Sequence, residues 1–298
     1  MLNRQSPRPL LAARAAALFS AGLLLAAAPL AAQRDLASAE LRTSHVAGTV
    51  HMIEGPGGNI GVSAGEDGLL MVDDKFAPLA DKIRTALAGL GSGELKFLLN
   101  THYHGDHTGG NAAFGRDAAI LAHANVRLRL LQGAGDAPQP EAWPVITFEQ
   151  GLTLHFNGEA IRAVHYPHSH TDGDAAVFFE SSNVVHMGDL FFNGRFPYVD
   201  LDAGGDVEGL TRHIGLILDR LPADARIIPG HGPVAAPEDL RAYHRMLTET
   251  AAAARRHIEA GADLEALKAA GLPGWEEWGS GFISTDRWLQ TLHRSLTN

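Results

Sequence analysis

Four side chains able to bind a metal ion crowd into six consecutive residues, His102-Tyr103-His104-Gly105-Asp106-His107. They sit directly behind the short apolar run Phe97-Leu98-Leu99. This juxtaposition constrains the fold more than anything else in the chain. An apolar run of that kind predicts a buried strand, and a strand end is the rigid mount that ligand geometry needs. Gly105 is expected to let the backbone bend within the cluster. The bland alternative is a polar loop that happens to be rich in histidine. One histidine on a surface loop is usually no more than that, whereas three with an aspartate at this spacing point to a metal.

Four donors do not complete a two-metal centre, so the rest of the chain must supply more. Three further candidates each follow an apolar run and sit beside a small or turn residue. His170 lies in His168-Ser169-His170-Thr171-Asp172-Gly173-Asp174, with His168 as its neighbouring alternative. Asp189 ends His186-Met187-Gly188-Asp189, and His231 lies in Pro229-Gly230-His231-Gly232. The set divides into His102, His104 and His170 around one ion and Asp106, His107 and His231 around the other, with Asp189 bridging. The chain has 16 histidines and no cysteine, which excludes disulfides, thiolate zinc sites and cysteine nucleophiles. Imidazoles with a few carboxylates and no sulfur suit two Zn2+ ions, and iron or manganese fit the same donors. Two divalent ions among so few carboxylates leave the centre net positive, so an anionic small-molecule substrate is expected. The overall charge of −10 argues against a nucleic-acid partner.

Alternation predicts a strand over 46–54, broken at Gly55-Pro56-Gly57-Gly58 and resumed over 59–64. Buried strands are predicted at 69–72, 97–99 and 120–121, then near 152–156, 161–165, 175–179, 184–186 and 226–228. Helical spacing covers 78–90, 125–131, 207–221 and the chain from 237 onward, with a break at 271–274. Residues 133–144 read as a surface loop. Strand-rich halves each followed by helices make an α/β layered fold. At the N-terminus, Arg4, Arg8 and Arg14 precede the uncharged run Ala15 to Ala28, which ends at Leu30-Ala31-Ala32. The run is shorter than the ~20 residues a membrane span needs, so residues 1–32 read as a secretory signal. Residues 33–298 are then one domain with a helical C-terminal segment, periplasmic or secreted, with no stable membrane anchor after cleavage.

These residues resemble the metallo-β-lactamase superfamily. The likeness rests on the His-x-His-x-Asp-His segment, the three later ligands in the same order, Gly57-Gly58-Asn59-Ile60-Gly61 and Val72-Asp73-Asp74. It covers most of the chain between residues 45 and 235. It implies a four-layer αββα sandwich with two metal ions at the edge where loops from both sheets meet. It selects His170 over His168, because Thr171-Asp172-Gly173-Asp174 follows as in the family. It implies that Asp73 or Asp74 steadies the ligand loop from behind. It also implies hydrolysis by a hydroxide bridging two zinc ions, with Asp106 as ligand and catalytic residue that orients it. Asn193 and Arg195, in the loop after Asp189, are candidate substrate contacts, Arg195 through a bidentate grip on a carboxylate. The expectation is a secreted dizinc hydrolase of a cyclic amide or ester, with β-lactams the leading specific substrate. The alternative is a periplasmic lactone, ester or thioester hydrolase with glyoxalase II-like chemistry. Asp189 favours that alternative, because β-lactamases of the superfamily generally lack an aspartate at the bridging position. A non-catalytic zinc-binding module is the third reading.

Overall fold

The computed structural model describes residues 36, 38–91, 93–133 and 139–297. The expected signal over 1–32 therefore lies outside the described residues. Among those described, no helix is long and apolar enough to cross a membrane.

Two sheets form the centre. The first holds β1 (Arg42–Ala47), β2 (Val50–Glu54), β3 (Ile60–Gly65), β4 (Gly68–Val72), β5 (Leu95–Leu99), β6 (Ala119–His123) and β7 (Ile146–Phe148), in that spatial order. It is antiparallel as far as β4 and parallel from β4 to β7. Helix α1 (Ala80–Ala88), the one-turn helices α2 (Gly105–Thr108) and α3 (Asn111–Phe114), and α4 (Ala124–Gly133) link its parallel strands. The second sheet runs β12-β11-β10-β9-β8. Its strands are β8 (Gly151–Phe156), β9 (Glu159–His165), β10 (Ala175–Phe179), β11 (Val184–His186) and β12 (Arg226–Ile228). Only β11 and β12 pair in parallel, and α5 (Val207–Leu218) lies between them in sequence. Helices α6 (Pro237–Glu259), α7 (Leu264–Ala270) and α8 (Thr285–Thr297) complete the fold.

The strand period of two sorts side chains into three cores. Leu70, Val72 and Leu99 of the first sheet pack between the sheets with Ile161, Ala163, Val177 and Phe179 of the second. Their neighbours Leu69, Met71 and Leu98 turn outward to Ile83 and Leu87 of α1. On the other side, Val184 points between the sheets, while Val185 joins the cluster holding Ile214, Leu240 and Trp288 of α5, α6 and α8. Each such fully buried aliphatic side chain contributes about 1.5–3 kcal/mol of transfer free energy. The result is the four-layer αββα sandwich.

Local expectations needed correction. The single strand over 46–54 is two strands, because the chain reverses at Gly48-Thr49, where Gly48 has φ 54°. A two-residue turn preserves the alternation on either side, so the pattern alone reads straight through it. Among its described residues, the 133–144 stretch forms a 3-10 turn at Pro140–Ala142 and leads into β7. The one-turn helices α2 and α3 are too short to show a period. The C-terminal helical stretch also breaks before Asp263, whose carboxylate accepts from Ala266 N at 2.9 Å and caps α7.

Candidate metal centre

The first sheet presents its donors on one loop, and two buried carboxylates hold that loop from behind. Asp73, at the end of β4, is fully buried. One oxygen accepts from Thr101 N at 2.7 Å; the other accepts from Thr101 Oγ1 and His107 Nδ1, both at 2.7 Å. The Thr101 hydroxyl proton is committed to Asp73, so its oxygen accepts from His102 Nδ1 at 3.0 Å. Both His102 and His107 are thereby left presenting Nε2. Asp74 accepts from Gly110 N at 2.9 Å, and its own N–H reaches His107 O. Burial pushes the Asp74 carboxyl well above the usual carboxylate range. The structure thus gives both expected aspartates a supporting position, with Asp73 in direct contact with a candidate ligand.

The second sheet delivers its donors one at a time. His170 lies between β9 and β10, and its Nδ1 donates to Tyr198 O at 2.7 Å. Asp189 follows β11 in a single 3-10 turn, and His231 follows β12. The carboxylate of Asp189 divides its two oxygens. Oδ2 lies 3.7 Å from His102 Nε2 and 3.5 Å from His170 Nε2. Oδ1 lies 3.1 Å from His107 Nε2 and 3.3 Å from His231 Nε2. Asp106 Oδ2 is 3.3 Å from His231 Nε2 and 3.7 Å from His107 Nε2. His104 Nδ1 lies 2.8 Å from His170 Nε2, while its Nε2 donates to Asp200 Oδ2 at 3.0 Å. All seven expected residues therefore converge. The donor atoms of His102, His104, His170 and Asp189 lie within 4.8 Å of one another, and so do those of Asp106, His107 and His231.

The residues fit a pair of metal ions. His102 Nε2, His107 Nε2 and Asp189 Oδ1 are buried with no hydrogen-bond partner. An unmet buried donor or acceptor costs about 1–3 kcal/mol, a cost that coordination removes. The two groups differ electrostatically. Burial holds His102 well below the usual imidazole range, aided by His107, and burial pushes His170 down to about 4. Burial would also lower His107, but the carboxylates of Asp189, Asp73 and Asp106 overcome it and raise that ring well above its usual range. His231 is raised to about 9 against its burial by Asp189 and Asp106. Burial would raise Asp189, yet the surrounding imidazoles His107, His231 and His102 hold it well below the ordinary carboxylate range.

Glycine is indispensable where backbone meets these groups. A Cβ on Gly58 would stand 2.0 Å from His107 Cε1, and one on Gly230 would stand 2.1 Å from Asp189 Oδ1. Gly105 has no such role: it opens α2 without a positive φ, and a Cβ there would meet open space. The bend expected at Gly105 is supplied instead by a helical turn whose N-cap is His104.

The remaining candidates separate. His168 is exposed, bonds Gly204 O at 3.1 Å and lies outside both groups. Asn193 donates from Nδ2 to Pro233 O at 3.1 Å and from its backbone to His231 O at 2.9 Å, so it braces the His231 loop. Arg195 lines a cavity of about 680 Å³ over the donors. Sequence reasoning missed Asp200, which accepts from His104 and, at 2.6 Å, from Tyr103 OH. No spacing announced it, because its loop is ordered only by contacts made in three dimensions.

Over residues 54–231 the chain matches the family described as the Metallo-beta-lactamase superfamily. It is 27% identical over 209 residues to the 2,4-dinitroanisole O-demethylase subunit alpha of Nocardioides sp., covering 67% of this chain and 60% of that one. It is 32% identical over 158 residues to a hydroxyacylglutathione hydrolase of Polaromonas sp., covering 52% of this chain and 55% of that one. The chain spans about half the length of the curated relatives it matches. Among solved structures, the metallo-beta-lactamase from Pontibacter korlensis is similar with a TM-score of 0.59 at 17% identity, covering 70% of this chain and 99% of that one.

Proposed function

Because the chain belongs to the metallo-beta-lactamase superfamily, we propose that it is a two-metal hydrolase that attacks an ester, thioester or lactone carbonyl. The observation that carries this reading is Asp189, which offers one oxygen to each group of imidazoles. His102, His104, His170 and Asp189 would hold one ion; Asp106, His107, His231 and the other oxygen of Asp189 would hold the second. Zinc suits these donors. Two such ions, when bound, supply a nucleophile at neutral pH and Lewis acidity toward the carbonyl.

The chain's own part is to orient. Asp73 and the Tyr198 carbonyl fix which ring nitrogens face the centre. Asp106 turns Oδ2 toward His231, and its other oxygen has no hydrogen bond among the described residues. With the ions bound, that oxygen would be free to accept a hydrogen bond from the attacking water and so orient it. The similarity to a hydroxyacylglutathione hydrolase supports a thioester or ester substrate. β-Lactam hydrolysis is the second reading, favoured by the apolar, cation-rimmed cavity over the donors. The expected signal over 1–32 would put the enzyme in the periplasm or outside the cell.

The test is a panel of thioesters, lactones, esters and a chromogenic cephalosporin, assayed with and without chelator beside elemental analysis. Turnover that chelator removes and zinc restores is the expected result. His104→Ala is expected to lose about one equivalent of metal and nearly all turnover. Unchanged metal content in that variant, or no hydrolysis of any panel member by the zinc-loaded protein, would overturn the reading.

A further inference from the structure

The cavity of about 680 Å³ over the metal donors takes one of its walls from beyond the family-matched span. Phe192 and Phe196, in the segment after Asp189, form one side. Phe282, Ile283 and Arg287, past residue 231 where the match ends, form the other. This second wall is firmly seated. Phe196 N donates to Trp278 O at 3.0 Å, and the Phe196 ring stacks on Trp288 at 5.8 Å between centroids. Trp288 is fully buried, and its indole N–H donates to Thr250 Oγ1 at 3.0 Å.

Two guanidinium groups line the same cavity. Arg195 is half-buried beside the metal donors, and Arg287 lies 5.0 Å over the Phe282 ring. Among the described residues neither forms an ion pair, although nearby arginines do: Arg294 pairs with Asp202 and Arg129 with Asp172. Phe282 is 74% exposed, an apolar surface left uncovered at the rim. A cavity with aromatic and aliphatic walls and two unpaired cations suits a molecule that is apolar along its body and anionic at one end. It does not suit a polar peptide conjugate, whose amides would be buried against rings that cannot bond them.

We propose that this cavity selects carbonyl substrates whose acyl body is hydrocarbon or aromatic and ends in a carboxylate held by Arg195 and Arg287. This deepens the hydrolase reading above and rests on it. The test uses the zinc-loaded protein and 4-nitrophenyl monoesters of glutaric, adipic and suberic acids. Each is set against the neutral ester of equal chain length: pentanoate, hexanoate or octanoate. For at least one length, kcat/KM for the carboxylate ester is expected to exceed its neutral partner by about tenfold or more. Arg195→Ala and Arg287→Ala should each reduce that ratio about tenfold, chiefly through KM, and Arg287→Glu should reverse the preference. Calorimetry with the unreactive pair adipic monoamide and hexanamide measures the same selectivity without turnover, and tighter binding of the acid is expected. Equal affinity for the two amides, a ratio indifferent to both arginines in variants of unchanged melting temperature, or faster turnover of a glutathione thioester than of any of the acids would overturn the proposal. Failure to hydrolyse any ester would count against the hydrolase reading, and the calorimetric comparison would still decide the carboxylate preference.

Discussion

The two sheets supply the candidate metal centre in opposite ways. The first gathers His102, His104, Asp106 and His107 on one loop and braces it with the buried side chains of Asp73 and Asp74. The second sends His170, Asp189 and His231 from three separate strand ends and braces them largely through backbone, with side-chain help from Asp174, which accepts from Thr171 N at 2.8 Å, and from Asn193, which donates to Pro233 O. Tyr198 O fixes His170, Gly230 N bonds Gly188 O at 2.7 Å, and Asn193 N bonds His231 O at 2.9 Å. The difference has a physical cause. Four polar side chains on a short loop have many local alternatives, so a charged partner must choose among them. Donors at separate strand ends inherit their orientation from sheet register. The largest expected effect lies where the two systems meet. Asp189→Asn keeps the shape but removes the charge shared by both groups. It should release at least one equivalent of metal and lower kcat/KM by about a thousandfold or more. Two retained equivalents with activity within tenfold of the parent would show that the second sheet's contribution is dispensable.

The supports themselves offer a sharper contrast. Asp73→Asn replaces a carboxylate that accepts three hydrogen bonds with an amide that offers one oxygen and two unwanted donors. Metal affinity at the His107 side should fall about 10–100-fold, the usual loss on removing such a partner. On the second sheet the corresponding support is a carbonyl, which no side-chain change deletes. Tyr198→Phe should therefore move metal affinity by less than about threefold. Competitive titration with a chromophoric chelator measures both. Equal losses in the two variants would erase the distinction between charged and backbone support.

The same contrast explains what the sequence made legible. The contiguous donors announced themselves through spacing behind Phe97-Leu98-Leu99, and the dispersed ones through glycine-flanked strand ends at Asp189 and His231. Gly230 is there because Asp189 fills the place of its missing side chain. The run Leu69 to Val72 announced a buried strand, but its uniformly apolar residues hid which face each core, so the four layers came from the resemblance and the sorting only from the structure. Asp200 was not readable, because its role depends on a loop carrying it to His104 across 96 residues. The helical turn at 105–108 was hidden too, since four residues show no period and Gly105 invites a turn assignment. The hairpin at 48–49 escaped for the converse reason: its pattern was too regular to betray the reversal.

The smallest effect concerns the mouth of the His170 loop, where β9 ends. His165 stacks on His123 at 3.6 Å between centroids and 13° between planes. Its Nδ1 donates to Asp174 O at 2.9 Å, and Tyr166 N bonds the same carbonyl. This closure is made of neutral rings on a backbone carbonyl, while the buried carboxyl of Asp174 holds the loop beside it by accepting from Thr171 N at 2.8 Å. Burial, with His123 adding to it, pushes His165 down to about 4, and burial also lowers His123. An imidazole whose folded value lies below its unfolded 6.5 binds a proton more readily when the chain is unfolded. The stability it confers is complete above about pH 6.5 and is lost as pH falls toward about 4. His165→Phe keeps a ring on His123 and removes the titration. Unfolding free energy measured by denaturant titration from pH 4 to 7 should fall less steeply on acidification than in the parent, by about 1 kcal/mol across the window once partial solvent exposure is discounted. The variant should also be slightly less stable at pH 7, having lost the bond to Asp174 O. Parallel pH profiles would mean that the acid-sensitive support lies elsewhere, and the second sheet would no longer be the one held by neutral contacts.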